Sequence, residues 1–343
     1  MTGLTENVPV YNQTPLVREF LSKDENAPIF YVKYEELQPS RSFKSRGIGH
    51  LILSKVNDAR KSNSGKTIHV FSSSGGNAGY AAAVACSRLN VRCTVVVPIT
   101  TKAHMIGKIR DVGAEVIIKG AHWNEADNYL KTEVIGNCDN EKVENIYVHP
   151  FDDPTVWEGH STMIDEIVET LREDDVDFNK VKGIVCSVGG GGLYNGIMTG
   201  LCRHKLADKI PVIAVETIGT DSLSNSLKAN KLVTLDKISS VATSLGSTHV
   251  TEKTLQFAKT YNSKSVVLPD KDVINTSLKF TDFSNFITEP ACAASIHLGY
   301  NFNIIQNALG QLLLKDDIII IIACGGSTCT YSDLEDMQSR IEL

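Results

Sequence analysis

Short runs of β-branched and aromatic residues alternate along this chain with longer amphipathic stretches. Residues 29–34, 67–71, 93–97, 115–118, 183–187, 211–216, 265–268 and 317–323 predict strands, each bounded by Gly, Pro, Asn or Ser. Apolar residues at helical spacing predict helices over 78–89, 102–112, 158–172 and 193–205. The run 318–323 is apolar at every position, the mark of a strand buried on both faces in a parallel sheet covered by helices. Strands alternating with helices make the class α/β. The polar stretch 137–144 reads as a surface loop, and the turn-rich 149–154 as a crossing between two α/β halves.

A length of 343 residues suggests two domains, and 42% apolar with 22% charged residues excludes a wholly disordered or fibrous chain. The net charge of −6 gives no basic surface for nucleic acid or anionic membrane, and points to small-molecule partners. The first seven residues carry neither a basic nor an apolar signal region, and 318–323 is too short to span a bilayer. Eight cysteines lie scattered without a CxxC pair, so neither zinc nor a disulfide framework is expected. Buried thiols in a reducing compartment, the cytoplasm by default and a mitochondrial matrix as the alternative, are the reading.

Four segments carry candidate chemistry: 40–47 (Ser-Arg-Ser-Phe-Lys-Ser-Arg-Gly), 72–79 (Ser-Ser-Ser-Gly-Gly-Asn-Ala-Gly), 187–193 with its glycine tetrad, and 323–328. The second and third each follow a predicted strand and open a predicted helix. In α/β sheets ligands bind at such strand ends. Glycines let backbone N–H groups approach an anion, and the helix N-terminus adds partial positive charge. Four glycines in a row at 189–192 cost more conformational entropy than a tight turn requires, although helix–sheet packing is the competing explanation.

Common phosphate fingerprints fail. For GxGxxG the last glycine is replaced by Tyr194 in one register and Asn195 in the other, and Gly65-Lys66-Thr67 lacks the leading P-loop glycine, which is Arg60. GxSxG and HExxH are absent. Segment 72–79 suits a carboxylate instead, with the hydroxyls of Ser73 and Ser74 and the amide of Asn77 beside backbone donors. An ordinary helix cap is the alternative. Lys44, next to Phe43, is of the kind that forms Schiff bases when desolvated, though most lysines are simply solvated.

Ser42-Phe43-Lys44, Ser74-Gly75-Gly76-Asn77-Ala78, Gly189 to Gly192 and Cys324-Gly325-Gly326-Ser327 stand in one order. Pro150-Phe151-Asp152-Asp153-Pro154 and Glu289-Pro290-Ala291-Cys292 accompany them. Together they resemble the fold-type-II pyridoxal-phosphate enzymes, tryptophan synthase β-like in fold, and most closely the L-serine/L-threonine dehydratases. The resemblance implies two open, mostly parallel sheets flanked by helices. It also implies a small domain at 40–147 inserted in a large one of 1–39 and 148–343, which overrides a simple division into halves. The chain ends soon after Cys324, so no C-terminal regulatory domain is expected and a catabolic enzyme is.

The resemblance further implies roles. Lys44 would hold pyridoxal 5'-phosphate, and be the catalytic base. Phe43 would pack on one ring face and Ser244 on the other, and Asn77 would bond the ring oxygen. Gly189, Gly190, Gly191, Gly192 and Leu193 would hold the phosphate. Ser74, Gly75 and Gly76, with Ser73 and Asn77, would take the substrate carboxylate, Gly75 leaving room beside the substrate. Cys324 would face the ring nitrogen. Carbonyls of Gly189, Thr220, Leu245 and Ser247, with Glu216 close by, would hold a monovalent cation such as K+. The implied protein is a cytoplasmic homodimer acting on a small amino acid, with no nucleic-acid or membrane partner. A racemase or cysteine synthase-like member, or a non-catalytic amino-acid sensor, are the alternatives.

Overall fold

The computed structural model describes residues 9–62, 64–261 and 263–341. The expectations for the first residues therefore lie, up to residue 8, outside the described part. In chain order the strands are β1 (Leu16–Glu19), β2 (Ile29–Tyr34), β3 (Thr67–Ser72), β4 (Arg92–Val97), β5 (Glu115–Ile118), β6 (Val143–Val148), β7 (Val181–Ser187), β8 (Val212–Thr217), β9 (Lys264–Leu268) and β10 (Ile318–Ala323). The helices begin with α1 (Lys44–Ser62), α2 (Asn77–Leu89), α3 (Ala103–Asp111), α4 (Trp123–Tyr129), α5 (Pro154–Glu173) and α6 (Gly192–Arg203). They continue with α7 (Ser222–Ala229), α8 (Glu252–Thr260), α9 (Asp270–Ser284), α10 (Pro290–Tyr300), α11 (Asn303–Leu309) and α12 (Tyr331–Ile341).

All eight sequence-predicted strands form, and β1 and β6 join them. β1 is four residues long and lies at a sheet edge, too short for a period-2 pattern to register. β6 begins at Val143, inside the stretch read as a loop; its last residues carry the apolar signal.

The described residues form two units, one of 9–12 and 38–159, the other of 13–37 and 160–341. In the first, the sheet order is β5-β4-β3-β6, with every pairing parallel. Alternate residues of its strands feed two apolar layers. Val70, Val95, Val97, Ile146 and Val148 pack with α1 and α2, whereas Phe71 and Val96 pack with Ala126 and Leu130. In the second, the order is β1-β2-β10-β7-β8-β9, with only β1 antiparallel. Every residue of β10 is buried, as its unbroken apolar run requires of a strand paired on both edges. No helix among the described residues is long and apolar enough to cross a membrane. The eight cysteines are free thiols, six of them buried.

Candidate active site

Within the unit of residues 38–159, Lys44 is the first residue of α1, behind a serine-rich turn. Ser40 and Ser45 join hydroxyls at 2.7 Å, and Arg41 takes a left-handed φ of 61°. The Lys44 Nζ donates to the Pro150 carbonyl at 2.6 Å and lies 5.1 Å from the centre of the Phe43 ring. The segment 149–154 thus meets the lysine in space. His149 was given no role from sequence, yet it lines the same region: its ring contacts Trp123, Tyr147 and Phe151. Its Nδ1 accepts from the Asp152 amide at 2.8 Å. Burial, with Lys131 and Lys44 nearby, pulls its pKa down to about 4, so the imidazole is neutral at physiological pH.

Segment 72–79 links β3 to α2. Gly76 occupies the N-cap in an extended conformation and no side chain caps the helix, so the positive end of α2 is not offset by a side-chain cap. The loop folds tightly over α2, because a Cβ on Gly79 would sit 1.8 Å from the Ser74 carbonyl oxygen. Two details modify the sequence reading. The Ser73 hydroxyl donates to Asp127 Oδ1 at 2.7 Å, so it is turned away from the loop's ligand, and the Ser74 hydroxyl accepts the Gly76 amide at 3.3 Å. A Cβ on Gly75 would lie 2.2 Å from Thr101 Oγ1, so the space it vacates belongs to Thr101.

Within the other unit, the tetrad joins β7 to α6. Gly191 is the N-cap, at φ 96° and ψ 0°, again without a side-chain cap and with no acid in the first turn. A Cβ on Gly191 would come 1.9 Å from Thr254 Oγ1, and one on Gly189 would come 3.0 Å from Leu245 Cα. Close packing therefore accounts for two of the glycines. An anion cradle remains compatible, and the buried Ser187 hydroxyl at the loop's start has no hydrogen-bond partner among the described residues.

Cys324 is buried at the end of β10, before Gly325 at φ 73°. The Gly325 amide donates to Cys292 Sγ at 3.3 Å, and that thiol points at Glu36 Oε1, 3.8 Å away. Burial pushes the Glu36 carboxyl up to about 8. The turn after Cys324 is thus backed by a carboxyl that is neutral near pH 7, a residue the sequence did not flag. Thr328, further along, bonds Glu289 Oε2 at 2.6 Å and lies 3.2 Å from the Ser244 hydroxyl, which brings Ser244 and the 324–328 turn together.

Of the residues considered for a cation, Gly189 and Leu245 are neighbours. Glu216 is fully buried, its pKa pushed up to about 8 by burial, and both its oxygens accept amides of α7, from Leu223 at 2.7 Å and Ser224 at 2.8 Å. The Thr220 hydroxyl bonds Thr217 Oγ1 at 2.8 Å, and the Ser247 hydroxyl donates to the His249 carbonyl at 2.6 Å. No cluster of three His, Cys, Asp or Glu side chains is placed to hold a metal among the described residues.

Residues 8–325 match the family described as pyridoxal-phosphate dependent enzyme. Over 327 residues the chain is 56% identical to a catabolic L-serine/threonine dehydratase of Saccharomyces cerevisiae, covering 95% of this chain and 90% of that one. It is 36% identical to an L-serine dehydratase of Dictyostelium discoideum, covering 96% and 92%. A fungal L-serine ammonia-lyase structure from Rhizomucor miehei superposes with a TM-score of 0.83 at 29% identity, covering 96% of this chain and 99% of that one. The processed form of threonine deaminase isoform 2 from Solanum lycopersicum does so with 0.78 at 26%, covering 97% and 85%.

Proposed function

Because the chain belongs to the pyridoxal-phosphate dependent enzyme family, we propose that it is an L-serine/L-threonine ammonia-lyase. It converts L-serine to pyruvate and ammonia, and L-threonine to 2-oxobutanoate and ammonia. The observation that carries this reading is the near-full-length likeness to the yeast dehydratase.

The residues present fit the cofactor. The uncapped, glycine-led start of α6 and the Ser187 hydroxyl, without a partner among the described residues, suit a phosphate, and Lys44 is half-buried. Pyridoxal 5'-phosphate, when bound, supplies an electron-withdrawing ring that takes up negative charge at the substrate α carbon.

In the unit of residues 38–159, the Lys44 amine would hold the cofactor and would be the base that takes the α proton at Nζ. The Pro150 carbonyl orients that amine. Phe43 would pack on the ring, and Asn77 would bond its oxygen. The Ser74 hydroxyl and the amides of Gly75, Gly76 and Asn77 would hold the substrate carboxylate. In the other unit, Gly189, Gly190, Gly191, Gly192 and Leu193 would take the phosphate through backbone amides, Ser244 would pack on the ring, and Cys324 would meet its nitrogen. Cys324 brings a buried thiol in place of a carboxylate, which would not serve as an anionic partner to keep that nitrogen protonated, and the Glu36 carboxyl beside Cys292 is pushed up to about 8 by burial. Charge at the α carbon would then be drained less fully, which would favour prompt loss of the β-hydroxyl over return of the proton. A potassium ion would be held by the carbonyls of Gly189, Thr220, Leu245 and Ser247, with Glu216 close by. The enzyme works as a cytoplasmic homodimer.

The test is product analysis. Purified protein given L-serine or L-threonine is expected to release oxo acid and ammonia in equal amounts, and Lys44→Ala to release neither while remaining folded. Racemised serine without oxo acid, or normal turnover by Lys44→Ala, would refute the assignment.

A further inference from the structure

The carboxylate of Asp127, on α4, gathers three partners from the unit of residues 38–159. Its Oδ1 accepts the Ser73 hydroxyl at 2.7 Å and the Tyr147 phenol at 2.7 Å. Its Oδ2 meets the Lys131 ammonium at 2.7 Å. That ammonium also lies 4.6 Å from the centre of the Tyr147 ring, so the four groups lock one another. Asp127 is 7% exposed, whereas the Lys131 side chain is 49% exposed. Burial pushes the Asp127 carboxyl upward, but the hydrogen bonds from Lys131, Tyr147 and Ser73 outweigh it and hold the group below its ordinary range. Asp127 is therefore charged at neutral pH.

None of Asp127, Lys131 and Tyr147 has a role in the chemistry above. Ser73 is the first residue after β3 and directly precedes Ser74. Fixing its side chain fixes the direction in which the loop leaves the strand. A negative charge so close to a loop that receives a carboxylate opposes binding unless something cancels it, and Lys131 is placed to do so.

We propose that Asp127 is a positioning residue for the substrate: it anchors the carboxylate loop through Ser73, and Lys131 cancels its charge so that the loop still accepts an anion. The loop's ligand rests on the functional reading above; the anchor itself does not.

The experiment compares holoenzyme carrying Ser73→Ala, Asp127→Ala, both changes together, or Lys131→Met. It reads kcat and KM for L-serine, cofactor absorbance, thermal midpoint and hydrogen exchange of the 74–77 amides. Losing a charge-assisted hydrogen bond is worth roughly tenfold or more. Ser73→Ala and Asp127→Ala are thus each expected to raise KM about tenfold and to speed loop exchange by a similar factor, with kcat and cofactor absorbance little changed. The double variant should be no worse than Asp127→Ala alone, because that change already removes the Ser73 bond. Lys131→Met should leave loop exchange alone and raise KM a few-fold, most at low salt. Multiplied effects in the double variant, unchanged loop exchange, or a lowered thermal midpoint with KM unmoved would overturn the anchor. An unmoved KM in Lys131→Met would overturn the charge cancellation. If the unaltered enzyme turned over no serine, the functional reading would fall while loop exchange still judged the anchor. Should Asp127→Ala not fold, Ser73→Ala and Asp127→Leu carry the same comparison.

Discussion

Gly191→Ala probes the glycine tetrad most sharply. Gly191 sits at φ 96°, where an L side chain is strained by roughly 1–2 kcal/mol. The added methyl also falls 1.9 Å from Thr254 Oγ1, 2.9 Å from its Cβ and 3.1 Å from its Cγ2. Thr254 is fully buried and cannot swing aside cheaply. Its hydroxyl bonds Asn195 Oδ1 at 2.9 Å and Thr251 Oγ1 at 2.9 Å, and its amide bonds Thr251 Oγ1 at 3.1 Å. Overpacking of this kind costs about 1–3 kcal/mol. The two effects sum to about 2–5 kcal/mol, a large share of the roughly 5–15 kcal/mol that holds a folded domain. Urea denaturation with and without pyridoxal phosphate measures it, and the midpoint is expected to fall by about 1 M or more. Cofactor affinity should fall too, on the order of tenfold, because the strain displaces the first amides of α6. Adding Thr254→Ala removes the contacts at 1.9 Å and 3.1 Å but leaves the strained φ, so it should recover only part of the loss. A Gly191→Ala protein within about 0.5 kcal/mol of the original, with unaltered cofactor affinity, would refute both the strain and the cradle.

Three further outcomes are expected. Gly75→Ser must displace Thr101 or the loop, and even a small displacement of the reacting group can lower kcat/KM about a hundredfold; adding Thr101→Ala should restore part of it, and no recovery would place the fault elsewhere. Cys324→Asp should shift product from oxo acid toward racemised or transaminated amino acid with cofactor still bound, and an unchanged ratio would mean that residue 324 does not govern the ring nitrogen. Glu36 titrates near 8 when folded against 4.5 when free, so the folded state keeps a proton that the unfolded state has released. Its contribution to stability is intact below 4.5 and is lost as pH rises toward 8, by about 1.4 kcal/mol per pH unit. Glu36→Gln should therefore show a flatter decline of the urea midpoint across that range, and parallel declines would contradict the buried-acid account.

Elements whose pattern was continuous were legible in the sequence. β10 was recognisable because every residue from Ile318 is apolar, and β3 and β7 because each ends at a glycine-rich loop. α1 carried a readable signal that was passed over, with Ile48, Leu51, Ile52 and Val56 at helical spacing after a lysine that drew attention as chemistry. β1 had no such signal: four residues with two exposed give no alternation to detect. Site residues divide in the same way. Lys44, Asn77 and the tetrad stand in local motifs, which a sequence displays. Asp127, Tyr147, His149 and Glu36 matter through partners 20 to 256 positions away. His149 alone had a nearby cue, the turn-rich segment it begins. Gly75 shows the converse limit, since the sequence marked it as special while only the fold shows that Thr101 fills its missing side chain.

The central claim is that Lys44 carries the cofactor. Holoenzyme reduced with borohydride, digested and mapped by mass spectrometry tests it without reference to turnover. A pyridoxyl group on Lys44, absent from the Lys44→Ala protein, is the predicted result. Label on another lysine, or none on a protein that has retained its cofactor absorbance until reduction, would contradict it.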